Sequence, residues 1–159
     1  MKKRTSGFTL IELVIAMAVV AIGLAITIPT MRDFTNVNRQ AEQINRFVRD
    51  LNYSKAEAVT RGRTLTIACT GASWENGWTI TDPTTGDTLR TAPAFTVAGL
   101  TLIPAGGVCT LNFRPDGTVS ATFTADLCAA GTATDNTDKQ ITVSTTGRVS
   151  LDAQFNGCP

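Results

Sequence analysis

The hydrophobic pattern of the chain changes three times. Residues 1–7 are polar and basic, and residues 8–28 are apolar almost without interruption, with Glu12 as the only charge. Residues 29–62 place apolar side chains at the period of a helix, whereas residues 63–159 are rich in threonine and in short apolar-polar alternations. The pattern predicts an α+β protein: a long N-terminal helix with two different halves, followed by a β-rich head.

We predict one bent helix from about Thr9 to Thr60 that ends near Gly62. Pro29 and Gly23 are the positions where it is expected to bend. In its second half, one face carries apolar residues at i, i+3, i+4 and i+7, extended by three further residues: Ile44, Phe47, Val48 and Leu51, then Ala41, Ala58 and Val59. Five charged residues lie mostly off this face and are predicted to be solvated: Arg39, Glu42, Arg46, Arg49 and Asp50.

The threonine-rich head predicts six to eight short antiparallel strands, in one sheet or in two packed sheets. Single strands are expected within residues 64–70 and 77–82, and one or two within 95–103, broken at Gly99. Hairpins are expected over residues 110–124, turning at Pro115-Asp116-Gly117, and over 139–153, turning near Thr146-Gly147. Residues 128–139 have the composition of a loop.

The apolar stretch at residues 8–28 is long enough to cross a membrane, because 21 helical residues span about 30 Å. The basic residues before it favour a cytoplasmic N-terminus, which would leave the head outside the cytoplasm. No Ala-x-Ala cleavage site follows the stretch, as an ordinary secretory signal would require, and the small residue Gly7 precedes it instead. A cut after Gly7 would keep the apolar segment on the mature protein.

The composition of the chain excludes several classes of function. The chain has no histidine, which excludes Ser–His and Cys–His nucleophile pairs and any histidine-ligated metal. Nothing in the acid spacing suggests catalysis, so we predict no enzyme activity, no metal and no cofactor. Residues 29–63 have seven basic and four acidic groups, net +3, whereas residues 64–159 have four and eight, net −4. An acidic head is a poor general binder of polyanions.

The four cysteines predict two disulfides in an oxidising compartment, since none forms a Cys-x-x-Cys pair. Three pairings of four cysteines are possible. We favour Cys128–Cys158, because a bridge at the penultimate residue would hold a tail that otherwise frays. Cys69–Cys109 then follows by elimination.

The N-terminal stretch Lys-Lys-Arg-Thr-Ser-Gly-Phe-Thr-Leu-Ile-Glu-Leu resembles a class III, or type IV prepilin, leader. The resemblance implies cleavage between Gly7 and Phe8 by a prepilin peptidase and methylation of the new Phe8 amine. It divides the chain into a leader (1–7), a membrane or filament-core half-helix (8–28), an amphipathic half-helix (29–62) and a head (63–159).

In this family Glu12 would meet the Phe8 ammonium group of a neighbouring subunit. Two charges that are costly apart in an apolar setting would neutralise each other there. We therefore expect Glu12 to act in assembly and to need no partner within its own helix.

Further stretches are similar to minor pilins and pseudopilins of the GspH/FimT/FimU group: LNYSKAEAVTRGRTLTIAC (51–69), ENGWTITD (75–82), LNFRPDGTVS (111–120) and ITVSTTGRVSL (141–151). The resemblance implies a minor pilin, anchored by a single pass in the inner membrane with its head in the periplasm. It would then be incorporated with other pilins into a type IV pilus at the cell surface. A GspH-like pseudopilin of type II secretion is the alternative within the group.

A DNA-binding pilin for natural transformation is the alternative of a different class. Some FimT-like pilins use a Gly-Arg-x-Arg motif near the C-terminus. This chain has Gly147-Arg148-Val149-Ser150, so the first arginine is present and Ser150 replaces the second. Arg148 is thus a candidate DNA contact, against the simpler interpretation of a surface arginine in a hairpin turn. The two tryptophans, Trp74 and Trp78, are predicted to be packing residues.

Overall fold

The computed structural model describes residues 8–97, 99–129, 139–152 and 158, without the side chains of residues 25–34 and 36. Its elements in chain order are one long helix, eight strands and one short 3-10 turn: α1 (Leu10–Arg61), β1 (Leu65–Thr70), β2 (Ser73–Asp82), β3 (Asp87–Ala92), β4 (Leu100–Pro104), the 3-10 turn (Ala105–Gly107), β5 (Thr110–Phe113), β6 (Phe123–Ala129), β7 (Lys139–Val143) and β8 (Val149–Asp152). The prediction of a long helix followed by a β-rich head is confirmed.

Helix α1 starts and ends within two residues of the predicted bounds. It ends before Gly62, whose φ of 62° is left-handed and suits glycine at a helix C-terminus. The chain separates into two compact units, residues 1–38 and 39–159, and α1 runs through both. In the part of the chain that is described, no helix combines the length and the hydrophobicity needed to cross a membrane. Residues 25–28 of the predicted span lie outside those whose side chains are described.

The eight strands form two antiparallel four-stranded sheets. One has the order β3-β2-β1-β5 and the other β4-β6-β7-β8. Strand alternation turns Leu65, Ile67, Trp78 and Ile80 inward in the first sheet. In the second sheet Leu127, Ile141 and Val143 turn inward, and these residues join one continuous core with those of the first.

The second unit buries the predicted apolar face of α1 in this core. Ile44, Phe47, Leu51 and Ala58 are buried, and the Phe47 ring packs edge-on against Trp74 and Trp78 at centroid distances of 5.2 and 4.9 Å. Both tryptophans are fully buried, as expected of packing residues. Val59, predicted to extend this face, is instead half exposed.

Asp50 corrects the expectation that the charged residues of this half of α1 are solvated. It is 3% exposed, and its carboxylate accepts hydrogen bonds from Trp78 Nε1 (3.0 Å) and Arg90 Nη1 (2.5 Å). The Arg90 guanidinium also stacks on Tyr53, with Cζ 4.2 Å from the ring centroid. A buried charge requires such partners, and two sheet residues supply them to the helix.

Two strand predictions need correction. Residues 87–92 form β3, which was not predicted, whereas of the one or two strands predicted within residues 95–103 the structure has one, β4, after Gly99. The predicted hairpin over residues 110–124 closes only at one bridge, Phe113 to Val119, because its second arm crosses to the other sheet as β6. The final hairpin, β7 with β8, pairs from Val143–Val149 to Gln140–Asp152. Most of the predicted loop at residues 128–139 lies outside the described residues.

Disulfides join Cys69 to Cys109 and Cys128 to Cys158. These are the pairs that the sequence favours. The first links neighbouring strand ends, where Cys69 N–H also donates to Cys109 O at 2.9 Å. The second ties Cys158 to β6, the strand next to the edge strand β4.

Candidate assembly site

The N-terminal part of α1 exposes apolar side chains around its whole circumference. Large apolar residues from Phe8 to Leu24 are each at least half exposed: Phe8, Leu10, Ile11, Leu13, Val14, Ile15, Met17, Val19, Val20, Ile22 and Leu24. A helix that is apolar on every side normally lies in a membrane or inside a larger assembly. This segment is therefore the first candidate functional surface.

Glu12 lies in the first turn of α1 and has a partner in its own chain. Thr9 is the residue before the helix, and its Oγ1 accepts a hydrogen bond from Glu12 N–H at 3.3 Å. The Thr9 hydroxyl also lies 3.5 Å from Glu12 Oε2. Thr-x-x-Glu at a helix start is the capping-box pattern, and an acidic group there also suits the positive end of the helix dipole. The expectation that Glu12 need not be stabilised within its own helix stays a prediction, because these contacts show that Thr9 touches Glu12 and not that Glu12 requires it.

Of the processing residues, Gly7 lies outside the described residues. Phe8 is the first described residue and is highly exposed. The structure thus brings Phe8, Thr9 and Glu12 together at the start of α1. The described residues include no cluster of three or more His, Cys, Asp or Glu side chains that could hold a metal ion.

A second candidate surface forms where two turns of the head meet α1. A Cβ atom on Gly147 would lie 2.0 Å from Gly117 O, and one on Gly117 would lie 3.1 Å from Lys55 Cε. Lys55 Nζ donates to Thr146 O at 3.2 Å, and Val119 N–H donates to Thr145 O at 3.0 Å. Three stretches that are far apart in the sequence therefore converge at one point.

Arg148 lies on this surface and is exposed. Its backbone closes the β7–β8 turn, since Arg148 O accepts from Ser144 N–H at 3.0 Å. Gly147 is buried with a φ of 69°, so the turn and the contact with Gly117 both require glycine. Packing alone therefore accounts for the glycine of the Gly147-Arg148 pair. Ser150 uses its hydroxyl within the hairpin, donating to Thr142 O at 3.4 Å.

Two carboxylates of the head have pKa values below the usual range. The backbone N–H of Thr84 donates to Asp82 Oδ1 at 2.9 Å and is the main cause of the lowered pKa of Asp82, with Arg63 adding a smaller effect. The Thr118 hydroxyl donates to Asp116 Oδ1 at 2.7 Å and lowers the pKa of Asp116. Both groups stabilise turns, at β2–β3 and at the turn after β5, and neither lies in a catalytic arrangement.

A long N-terminal helix with an exposed apolar first part, joined to a two-sheet head, defines a pilin-like structural subunit. The family model for "Type II transport protein GspH" matches residues 43–147, about two-thirds of the chain. The model for the "Prokaryotic N-terminal methylation motif" matches residues 2–28. The chain belongs to the GspH family of minor pilins and pseudopilins, which are structural subunits.

Solved structures give the same result. The type IV minor pilin FimU of Pseudomonas aeruginosa is similar in one crystal form with a TM-score of 0.62 and 25% identity, over 77% of this chain and 92% of FimU. A second crystal form gives 0.57 and 27%, over 71% and 90%. The minor pseudopilin EpsH from the type II secretion system of Vibrio cholerae gives 0.55 and 17%, over 71% and 95%, which shows the fold alone. A search of curated protein sequences finds none that matches the chain.

Proposed function

We propose that the chain is a minor pilin of a type IV pilus, incorporated by way of its N-terminal helix. The observation that carries this proposal is the exposed apolar helix start, which holds Glu12 in its first turn and lies within the methylation motif. In this proposal, prepilin peptidase cuts between Gly7 and Phe8, and the apolar segment holds the subunit in the inner membrane with the head in the periplasm. Other pilins then take up the segment in the filament core.

The hydrogen bonds at the helix start suggest how Glu12 is held before assembly. Thr9 contacts both the backbone N–H and the carboxylate of Glu12, which restricts where that carboxylate can lie at the helix start. In the filament, Glu12 would pair with the Phe8 amine of a neighbour, which removes an unpaired charge from an apolar environment. Thr9 is thus a positioning residue for Glu12.

Mass spectrometry and filament incorporation test the proposal together. The chain isolated from membranes should begin at a methylated Phe8, and the Glu12→Val variant should be cleaved normally but nearly absent from sheared filaments. Glu42→Val is the matched control, because Glu42 is an exposed glutamate further along the same helix. A native chain that begins at Met1, or normal incorporation of Glu12→Val, contradicts the proposal.

Type II secretion is the alternative within the family. The likeness to the type IV minor pilin FimU supports the pilus, while the GspH family model is compatible with both alternatives. Deletion of the gene separates the two functions, since loss of pili and of twitching motility supports the pilus. Loss of exoprotein secretion with normal pili supports the pseudopilin instead.

DNA uptake is the candidate function of a different class, and only the exposure of Arg148 favours it. Gel-shift titration of the full chain in detergent, at low salt, tests it with Arg148→Ala against Arg114→Ala, another exposed arginine of the head. Binding that is lost in Arg148→Ala alone supports a DNA contact. Absence of binding at low salt excludes the DNA receptor.

A further inference from the structure

The two sheets end in four edge strands, β3, β5, β4 and β8, and three of these edges are closed. A bulge at Leu89 interrupts β3, and β5 faces residues 120–123 of its own split hairpin. On β4, Leu102 N–H donates to Glu75 Oε1 at 2.8 Å. Such features prevent the addition of another strand. None of the three is found along β8 among the residues that the structure describes.

Two residues of β8 direct their backbone hydrogen-bonding groups away from the sheet. Ser144 N–H donates to Arg148 O at 3.0 Å, so these two residues form a hydrogen-bonded pair where β7 meets β8. Hydrogen-bonded and non-hydrogen-bonded pairs alternate in an antiparallel ladder, and this ladder continues to the end of β8. The N–H and C=O groups of Val149 and Leu151 therefore point away from β7. Neither N–H has a hydrogen-bond partner within the described part of the chain.

The side chains along this edge are arranged so that a second copy of the chain complements it. In chain order they are basic, apolar, small, apolar and acidic: Arg148, Val149, Ser150, Leu151 and Asp152. In an antiparallel pair of two copies centred on Ser150, Val149 lies opposite Leu151 of the second copy, and Arg148 lies opposite Asp152. Both charged residues are exposed, and Leu151 is 40% exposed. Opposite charges and apolar pairs are favourable combinations across adjacent strands.

The same register also satisfies the outward backbone groups. Val149 N–H donates to Leu151 O of the second copy, Leu151 N–H donates to Val149 O of the second copy, and two-fold symmetry repeats each contact. A register centred on Val149 or on Leu151 would pair fewer of these groups. It would also separate Arg148 from Asp152. Backbone and side chains thus select the same register.

We propose that two copies of this chain pair through β8, in an antiparallel ladder centred on Ser150. Residues 39–159 have ten basic and eleven acidic groups, a net charge of −1, so overall charge does not oppose the pairing. Exposed ion pairs add little affinity, and Arg148 and Asp152 instead select the partner and the register. A ladder this short gives a transient contact. Anchoring of both copies in one membrane, which is part of the proposed function and on which this inference rests, raises their effective concentration.

Cysteine crosslinking of the full-length chain in membranes tests the pairing. Ser150 would lie opposite itself at a non-hydrogen-bonded position of the new ladder, where Cα atoms are about 4.5 Å apart. Disulfides span Cα distances of about 4.4–6.8 Å, so Ser150→Cys should give a covalent dimer under a mild oxidant. The four native cysteines form two disulfides, so the added cysteine has no native partner. Ser120→Cys, at an exposed serine outside β8, is the matched control and should stay monomeric.

Mass spectrometry of the dimer should find position 150 of one copy bonded to position 150 of the other. Absence of a dimer, or equal dimer yields from Ser150→Cys and Ser120→Cys, overturns the proposal.

Charge reversals in the Ser150→Cys chain test the register. Arg148→Asp or Asp152→Arg places like charges opposite each other and should lower the dimer yield about tenfold. The two reversals together restore opposite charges across the ladder, so the double variant should recover the dimer. A role of either side chain within its own chain would not produce this recovery. Single variants that keep the full yield, or a double variant that does not recover it, overturn the proposal.

The same variants distinguish direct pairing from two copies held together by DNA. Asp152→Arg makes the edge more basic, so DNA between the copies would raise the dimer yield of this variant. Direct pairing lowers that yield, because Arg148 then faces an arginine. A higher yield in Asp152→Arg overturns the proposal.

A proline at Leu151 tests the backbone contacts. Leu151→Pro in the Ser150→Cys chain removes an outward N–H without removing a bond to β7, and it should lower the dimer yield. Leu151→Ala keeps the N–H and should retain more of the dimer. Equal yields from the two variants overturn the proposal. The charge reversals keep the pairing falsifiable if Leu151→Pro does not fold.

The unlabelled chain in the same cells shows which proposal fails. If it is processed at Phe8 and recovered in sheared filaments while position 150 gives no dimer, only the pairing through β8 is wrong. If it is absent from membranes and filaments, the proposed pilin function itself is wrong.

Discussion

The two ends of α1 contain similar apolar side chains but bury them differently. From Phe8 to Leu24 the large apolar side chains are exposed, Leu10 at 81%, whereas Phe47 and Leu51 near the other end are 0% exposed. Burying a side chain of this size stabilises a fold by about 1.5–3 kcal/mol. The second part of the helix therefore stabilises the head, while the first part leaves its apolar surface for other molecules.

The largest expected effect is on the free energy of unfolding, and it distinguishes the buried part of α1 from the exposed part. Phe47→Ala should lower the free energy of unfolding of the head by about 3–5 kcal/mol, because it leaves a cavity against Trp74 and Trp78. Leu13→Ala, on the exposed part of α1, should change it by less than about 0.5 kcal/mol. Guanidinium unfolding of the full chain in mild detergent, followed by tryptophan fluorescence, measures both. Equal losses for the two variants would contradict the division.

The next effect concerns the buried charge that links the second part of α1 to the sheet. Asp50→Ala should destabilise the head by roughly 2–3 kcal/mol, because the indole N–H of Trp78 loses its acceptor in the core. Arg90 is about half exposed and can be hydrated again, which limits the loss. Asp50→Asn keeps an acceptor for Trp78 and should cost less than Asp50→Ala, and Glu42→Ala should cost almost nothing. The same unfolding assay orders the three variants.

These two residues also show how far the sequence could predict the structure. Phe47 was predictable, because its i, i+3, i+4 neighbours form a helical apolar stripe. Asp50 was not, because its burial depends on Trp78 and Arg90, which are 28 and 40 residues away in sequence. Periodicity reports which way a side chain points on its own element, but not which distant group compensates its charge.

Some features of the candidate sites could likewise be predicted from the sequence, and others could not. The methylation motif and the Gly147-Arg148 turn are local patterns, and both could be found from the sequence. The contact between Gly117 and Gly147, and the split of the hairpin after β5, depend on which sheet each strand joins. The hydrogen bond from Glu12 N–H to Thr9 Oγ1 was also local, and the spacing of the two residues was sufficient to predict it.

An effect of similar size tests the convergence of the two turns on α1. Gly147→Ala should destabilise the head by roughly 2–3 kcal/mol, through its positive φ and the clash with Gly117 O. Gly86→Ala is the matched control, because Gly86 has a φ of 78° but open space around its Cα. It should cost only about 1 kcal/mol, from the backbone conformation alone. If Gly147→Ala and Gly86→Ala lower the free energy of unfolding equally, in thermal or guanidinium unfolding, then the contact with Gly117 does not contribute to stability.

The smallest expected effect is a change in how the free energy of unfolding of the head depends on pH. The pKa of Asp82 is lowered in the folded state, mainly by the hydrogen bond from Thr84 N–H. Its contribution to stability is therefore present above the unfolded pKa of about 3.9 and is lost as the pH falls through the lower folded pKa. Asp82→Asn should lower the free energy of unfolding at pH 7 and weaken its decline below about pH 4. Asp87→Asn, at an exposed position beside the same turn, is the matched control for the loss of one carboxylate. If the free energy of unfolding falls as steeply with decreasing pH in Asp82→Asn as in the wild type, then other carboxylates of the head, such as Asp116, cause its acid sensitivity.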